Sequence, residues 1–465
     1  MTLICCLDVG STYTKAAVVD TTDGRLVLTG QHPTTVATDV WHGVSALRDQ
    51  LAARLPAVAD AEIRASSSAG GGLRLAVVGY ERTVTAEAGR RAGLSAGARV
   101  VGVWAGPLDP AGLAALGAAE PDVLLLVGGT DGGNAEVLLH NARALAGTVA
   151  IRAPVVVAGN ADAGAAVAEL LTAAGLTAVR AANVLPRIGV LDPLPARTAI
   201  RGVFVRHVIG GGRLSRDPRF AAAVRGATPE VVLSGVELLA EVAGEARRPA
   251  EVAAGAGGAA DVLVVDVGGA TTDVYSVLTP DPEEQALRRD VVETAWHGRS
   301  VEGDLGTRWT APGVVAAALA ERLIDDTEAA SLLPATVRRV REGWTDGSGG
   351  AVEAGTDRRL AGLAVSVALR RHARPEHPGG RGRDLRPVAL IVGSGGALRR
   401  AGPVGGLEPL LAATRDHAGG WRVPERPRCV VDVDYRLAAA GLLAADHRAA
   451  AMRLLAPLVT HANHG

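Results

Sequence analysis

The sequence is poor in the residues that mark oxidising compartments, metal cages and membrane spans. Three cysteines occur in 465 residues, Cys5, Cys6 and Cys429, too few for a disulfide framework. Adjacent Cys5 and Cys6 lie in an apolar run and read as small core residues, which argues against the thiolate set a bridging iron–sulfur cluster requires. No apolar stretch approaches the roughly 20 residues that cross a bilayer; runs such as VLLLVGG are short and end in glycine. The eleven histidines show no paired metal spacing, and His32, His42, His140 and His207 read as polar helix or loop residues. A formal net charge of −1 leaves no basic footprint for nucleic acid or anionic membrane. The N-terminus starts on a strand without the basic segment of a signal peptide, so a cytoplasmic protein is expected. Lysine is the scarcest cation: of 48 basic residues only Lys15 is a lysine.

What is there is globular. Hydrophobic residues make up 48% and charged residues 21%, and the length predicts two or three domains. LICCLDVG, TKAAVVDT and LVLTGQHPTTV read as three successive strands, the first two joined by a tight turn. A helix follows over 39–55, with Trp41, Val44, Leu47 and Leu51 on one face. From Leu73 to about Val190, five continuous β-branched runs alternate with alanine-rich helices, the pattern of a parallel doubly wound sheet. A basic linker over 201–219 and a helix near 229–242 lead to the break AAGAGGAA. DVLVVDVGGATTDVYSVL then repeats the strand, glycine turn, strand pattern. Helices run on to about Arg371, interrupted by WTDGSGG; VALIVGSGG and CVVDVDYR add strands, and a helix closes the chain from Leu437.

DVGSTYTK (8–15) and DVGGATTD (266–273) are one device used twice: an aspartate at a strand end, then a turn of small residues. Glycine lets phosphate oxygens approach backbone N–H groups, hydroxyls add hydrogen bonds, and Asp8 and Asp266 suit a hydrated Mg2+ on a polyphosphate. One such loop is most often an ordinary hairpin turn; two, each opening a domain, point to a phosphate clamp. IVGSGGALRR adds a glycine turn, Gly393, Ser394, Gly395 and Gly396, flat enough to lie against adenine or ribose. Lys15 either reaches a phosphate or is a strand residue. Ser66 to Ser68, before Ala69-Gly70-Gly71, read as a flexible turn or an anion nest. In VGGTDGGNAE, at the carboxyl end of a parallel strand where such sheets bind ligands, Gly128, Gly129, Asp131 and Asn134 form a partner or ligand loop, with helix capping the safer role for Asp131 and Asn134.

The order of these loops resembles the superfamily of acetate and sugar kinases, DnaK-type chaperones and actin (ASKHA). The resemblance implies an α/β fold of two ribonuclease-H-like lobes around ATP and Mg2+, here with an inserted flavodoxin-like parallel α/β domain. Carried over by motif, Asp8 and Asp266 are the catalytic, metal-associated aspartates. Gly10, Ser11 and Thr12 belong to the first phosphate turn, with Lys15 following it, Gly268, Gly269 and Thr271 to the second, and Gly393 to Gly396 to the adenosine turn. Ala270 departs from the pattern, where a third glycine is common. Asp304 in VEGDLG reads as a helix cap, and AAAGLL (438–443) as a helix–helix contact. The expected divisions are 1–72 (first lobe), 73–195 (insertion), 196–255 (linker and connecting helix), 256–430 (second lobe) and 431–465 (a helix returning to the first lobe).

The Ser/Gly-rich run from Ala65 to Arg74, LLLVGGTDGGN, VVVAGNADA, VDVGGATTDV and VEGDLG span most of the chain. Together they resemble the glutamate-mutase accessory family, MutL or GlmL, unrelated to the mismatch-repair protein of similar name. That resemblance implies a Mg-dependent ATPase that reactivates an adenosylcobalamin-dependent aminomutase by exchanging damaged cobalamin. Its implied partner is a mutase subunit, with neither nucleic acid nor membrane, and a homodimer is left open. The chain has no Asp-x-His-x-x-Gly string to carry cobalamin itself. A small-molecule kinase and an actin-like assembly protein stand as the alternatives.

Overall fold

The computed structural model describes residues 1–69, 73–209, 214–246, 259–279, 297–342, 350–375, 382–416 and 420–460. Gly70 to Gly72, most of the AAGAGGAA break, nearly all of WTDGSGG and part of the Pro/Gly/Arg-rich loop lie outside the described residues. The chain divides into two compact units. The first gathers Met1–Thr22 and Leu26–Ser234; the second gathers Asp23–Arg25, Gly235–Thr279 and the chain from His297 onward.

The strands run β1 (Leu3–Val9), β2 (Tyr13–Asp20), β3 (Arg25–Pro33), β4 (Glu62–Ser67), β5 (Arg74–Gly79), β6 (Arg99–Ala105), β7 (Val123–Leu126), β8 (Val155–Val157), β9 (Ala178–Arg180), β10 (Val224–Ala227), β11 (Val262–Val267), β12 (Thr272–Val277), β13 (His297–Glu302), β14 (Leu390–Ser394) and β15 (Arg428–Val431). They form three five-stranded sheets, ordered β10-β4-β1-β2-β3, β6-β5-β7-β8-β9 and β13-β12-β11-β14-β15.

The first and third sheets are the same design. In each, an Asp-bearing centre strand pairs antiparallel with the strand after its glycine turn (β1 with β2, β11 with β12) and parallel with a later strand (β1 with β4, β11 with β14). A fifth strand extends each parallel edge, β10 beside β4 and β15 beside β14. This is the duplicated ribonuclease-H-like arrangement expected of an ASKHA protein. β1 alternates cleanly: Leu3, Cys5, Leu7 and Val9 enter the core of the first unit. The helix Val40–Arg54, capped by Asp39 accepting from the Trp41 N–H, packs Val44, Leu47 and Leu51 into that core. Gly30 on β3 lets Leu47 and Leu51 close in, since a Cβ there would stand 2.9 Å from Leu51 Cδ2.

The middle sheet is wholly parallel, with β5 at the point where strand order reverses. Both faces are covered: Leu75, Val77, Val123 and Leu125 point into one core, Ala76, Val78, Leu124 and Leu126 into another. Burial on both sides explains the continuous apolar runs, and the flavodoxin-like insertion is as expected.

Two expectations change. The segment read as a linker holds the helix Leu194–Val203, a π-helical turn Phe204–Ile209 and the strand β10, the fifth strand of the first sheet. Ser66 and Ser67 are neither a flexible turn nor an anion nest; they end β4 and are fully buried. The closing helices Arg436–Leu443 and Arg448–Thr460 group with the second unit, as does the β2–β3 turn Asp23–Arg25, whose Asp23 carbonyl oxygen accepts from Arg453 Nε. A helix–helix contact at AAAGLL is present there: a Cβ on Gly235, in the helix Thr228–Glu245, would stand 2.3 Å from the Leu437 carbonyl oxygen and 3.5 Å from the Gly441 nitrogen.

Candidate functional site: two strand-end aspartates

Each Asp-led loop is a tight turn closed by its own backbone. The Gly10 N–H donates to Tyr13 O at 3.1 Å, and the Gly268 N–H to Thr271 O at 2.9 Å. A Cβ at either glycine would meet that same carbonyl oxygen, at 2.8 and 2.9 Å, so both positions require glycine. Ser11 is exposed at the first tip, with Thr12 beside it half-buried. The carbonyls of the second loop are tied away: Thr307 N–H donates to Gly268 O, and Arg308 and Trp309 N–H groups to Gly269 O.

Register then sets what faces each aspartate. Asp8 lies between Lys15 on β2 and Ser66 on β4; Asp266 lies between Asp273 on β12 and Ser394 on β14. Equivalent positions thus carry a lysine in one unit and an aspartate in the other. Lys15 Nζ pairs with Asp8 Oδ2 at 2.9 Å, and Thr228 Oγ1 donates to Asp8 Oδ1 at 2.8 Å. Lys15 is therefore the counter-ion of Asp8, whatever else it binds. In the second unit Asp273 is held instead by Arg299, at 2.6 Å and almost wholly buried. Burial works against the Arg299 charge, yet Asp273 and Tyr275 outweigh it and hold its pKa above the usual arginine value. Burial, with Asp273 adding to it, pushes the Tyr275 hydroxyl well above its ordinary range. Ser394 Oγ donates to Asp266 Oδ2 at 3.2 Å.

The glycines of the third loop divide their work. Gly393 makes room for Leu398 and Leu410, whose methyls would stand 2.9 Å from a Cβ there. Gly395 is pressed onto the second Asp-led loop: its Cβ would lie 2.3 Å from Val267 O and 2.6 Å from Asp266 Oδ1. Gly396 lies beneath the Arg400 guanidinium.

In the insertion, Gly128 and Gly129 have positive φ and are buried, while 131–134 are exposed. Asn134 Oδ1 accepts from the Glu136 N–H, the first residue of the following helix. Asp131 Oδ1 instead accepts from Ala161 N–H and from Asn183 Nδ2, so it fastens its loop to the two that follow. Asp304 is not a helix cap; it takes two hydrogen bonds from Arg371, which hold its carboxyl below the usual range. Thr228, Asp273 and Arg299 were not singled out from sequence. Only Asp273 carries a local signal, as the seventh residue after its aspartate, where Lys15 stands in the first copy.

Mg2+ fits this donor set on one condition. Among the described residues no group of three or more His, Cys, Asp or Glu is placed to hold a metal, so each strand-end aspartate taken by itself would suit only an ion that brings phosphate and water as its other ligands. Likewise no described helix is long and apolar enough to cross a membrane.

Residues 4–458 match the family described as MutL protein. Protein MutL of Clostridium tetanomorphum is 32% identical over 476 residues, which cover 97% of this chain and 97% of that protein. Among solved structures, a glycerol dehydratase reactivase is 13% identical, covers 96% of this chain and 100% of its own, and has a TM-score of 0.35. The activator of 2-hydroxyisocaproyl-CoA dehydratase from Clostridium difficile, with bound ADPNP, is 10% identical over 97% of this chain and 96% of its own, with a TM-score of 0.28. Scores this low carry no argument about function. The near-complete match in sequence does settle kinship: the chain belongs to the MutL protein family.

Proposed function

We propose that this protein is an ATP-dependent reactivating factor for an adenosylcobalamin-dependent aminomutase of the glutamate-mutase type. The observation that carries the nucleotide part is the repeated geometry: Asp8 and Asp266 occupy the same place in two sheets of one design, each followed by a turn whose glycine Cβ would clash with the turn's own carbonyl oxygen. The mutase part rests on family membership and on the resemblance of the sequence to the glutamate-mutase accessory family.

In this reading Asp8 and Asp266 hold Mg2+ through water. Backbone N–H groups and hydroxyls of Gly10 to Thr12 and of Gly268 to Thr271 take the phosphates, and Gly393 to Gly396 take the adenosine. When bound, Mg-ATP supplies the free energy of phosphoryl transfer to water. Lys15, at 2.9 Å from Asp8, exchanges part of its carboxylate contact for a phosphate. The exposed tip of the insertion, Asp131 to Asn134, offers the mutase a docking edge that its own hydrogen bonds keep rigid. The working compartment is the cytoplasm.

The test is recovery of function. A glutamate mutase inactivated with cyanocobalamin is incubated with this protein, ATP, Mg2+ and adenosylcobalamin. Recovery that needs both protein and ATP is expected; equal recovery without ATP would overturn the reading.

A further inference from the structure

Three described residues other than glycine adopt left-handed backbone: Glu120, Arg322 and Tyr435. Glu120 and Arg322 each follow the C-cap of a helix, where that conformation is routine. Tyr435 precedes a helix, Arg436–Leu443, and its side chain makes no cap hydrogen bond. The cap is supplied by buried Asp432, whose carboxylate accepts from the Arg436 and Leu437 N–H groups at 2.9 and 3.0 Å. The strain at Tyr435 therefore does not serve the helix start, and strain of this kind persists only where its surroundings hold it.

What the strained turn achieves is visible in the ring. Tyr435 lies over the Arg399 guanidinium, 4.0 Å from ring centroid to Cζ. Arg399 is fixed at two other points: Nε donates to Asp432 O at 2.6 Å, and a terminal nitrogen donates to Ser394 Oγ at 2.9 Å. Occupied on its lone pair, the Ser394 hydroxyl has its own proton free to donate, and the acceptor is Asp266 Oδ2. Asp432 N–H closes the block by donating to Gly393 O at 2.8 Å.

We infer that Arg399 and Tyr435 are positioning residues for the second phosphate loop. They set the orientation of Asp266 through Ser394 and link it to the start of the helix Arg436–Leu443. This rests on the nucleotide reading of Asp266. The stacked ring keeps the guanidinium aimed, and the guanidinium keeps the serine a donor.

The test uses the full-length protein with Arg399→Ala, Tyr435→Gly, which keeps the left-handed backbone but removes the ring, and Tyr435→Phe, which keeps the ring. Steady-state hydrolysis of Mg-ATP is expected to show kcat lower by about tenfold in Arg399→Ala and Tyr435→Gly, with KM within about twofold of the parent. Tyr435→Phe is expected to restore kcat. Hydrogen exchange with and without MgADP gives a readout apart from turnover. Nucleotide should slow exchange of the Arg436 and Leu437 amides in the parent and in Tyr435→Phe, but not in the other two variants. A parent that hydrolyses ATP alongside variants of equal kcat and equal amide protection overturns the relay alone. A Tyr435→Phe protein as poor as Tyr435→Gly does so too. A parent that neither binds MgADP nor hydrolyses ATP overturns the nucleotide reading together with it.

Discussion

Gly395→Ala separates backbone strain from the close approach that the Asp266 loop requires. Gly395 sits at φ 91°, ψ 161°, a region essentially confined to glycine, so any side chain costs about 1–3 kcal/mol in strain. The added methyl would also lie 2.3 Å from Val267 O and 2.6 Å from Asp266 Oδ1. Both are held by a paired strand end, and forced overlap of this kind costs about another 1–3 kcal/mol. The expected total is about 4 kcal/mol. Gly402→Ala is the internal control: φ there is 76° but a Cβ would meet nothing within 4 Å, so strain alone remains, about 1–2 kcal/mol. Urea unfolding followed by far-UV circular dichroism should place Gly395→Ala clearly below Gly402→Ala. Addition of MgADP should raise the melting temperature of Gly402→Ala but not of Gly395→Ala, whose methyl displaces Asp266. Equal urea midpoints, or equal nucleotide stabilisation, would refute the reasoning.

Two further outcomes follow from other parts of the fold. Thr228→Val keeps the shape of the side chain but removes the donor to Asp8 at 2.8 Å; the loss is expected to be about 1.5–3 kcal/mol, as for hydrogen bonds to charged groups, read from the urea midpoint. His372 is fully buried between Ser300 Oγ and Ser276 Oγ, each 2.9 Å from a ring nitrogen. Burial, with nearby Arg383, holds its pKa well below 6.5. The folded protein keeps it neutral while the unfolded chain takes up a proton below that value. Stability should therefore be constant above pH 6.5 on this account and fall as pH drops further, by at most about 1.4 kcal/mol per pH unit. His372→Asn should flatten that fall in pH-dependent urea titrations.

The parts legible in the sequence were those whose signal is local. β1, β2, β11 and β12 announce themselves because a buried strand, a glycine turn and a second strand lie within some twenty consecutive residues. The insertion was legible because strands buried on both faces are written as unbroken apolar runs. β10 was hidden: VRGA is four residues long, sits between two helices and has its arginine exposed, so no alternation develops. β4 ends in Ser66 and Ser67, which look like turn residues until the strand pairing buries them beside Asp8. The surroundings of the aspartates were invisible for a different reason. Thr228 reaches Asp8 from 220 residues away and Ser394 reaches Asp266 from 128, contacts that only the parallel strand pairings create. Asp304 misled because its place before a helix suggested a cap, whereas Arg371, on the helix Gly350–Ala373, supplies a better partner.

The central claim is that both strand-end aspartates serve one chemistry, and the rate of Mg-ATP hydrolysis in Asp8→Asn and Asp266→Asn tests it most directly. Asparagine preserves size and can still accept from Thr228 or Ser394, so folding should survive while the charge proposed to hold Mg2+ is lost. Each variant is expected to lose about 100-fold or more in rate, with the double variant little worse than either, as for groups acting as a unit. Hydrolysis at the parental rate in either single variant would contradict the account.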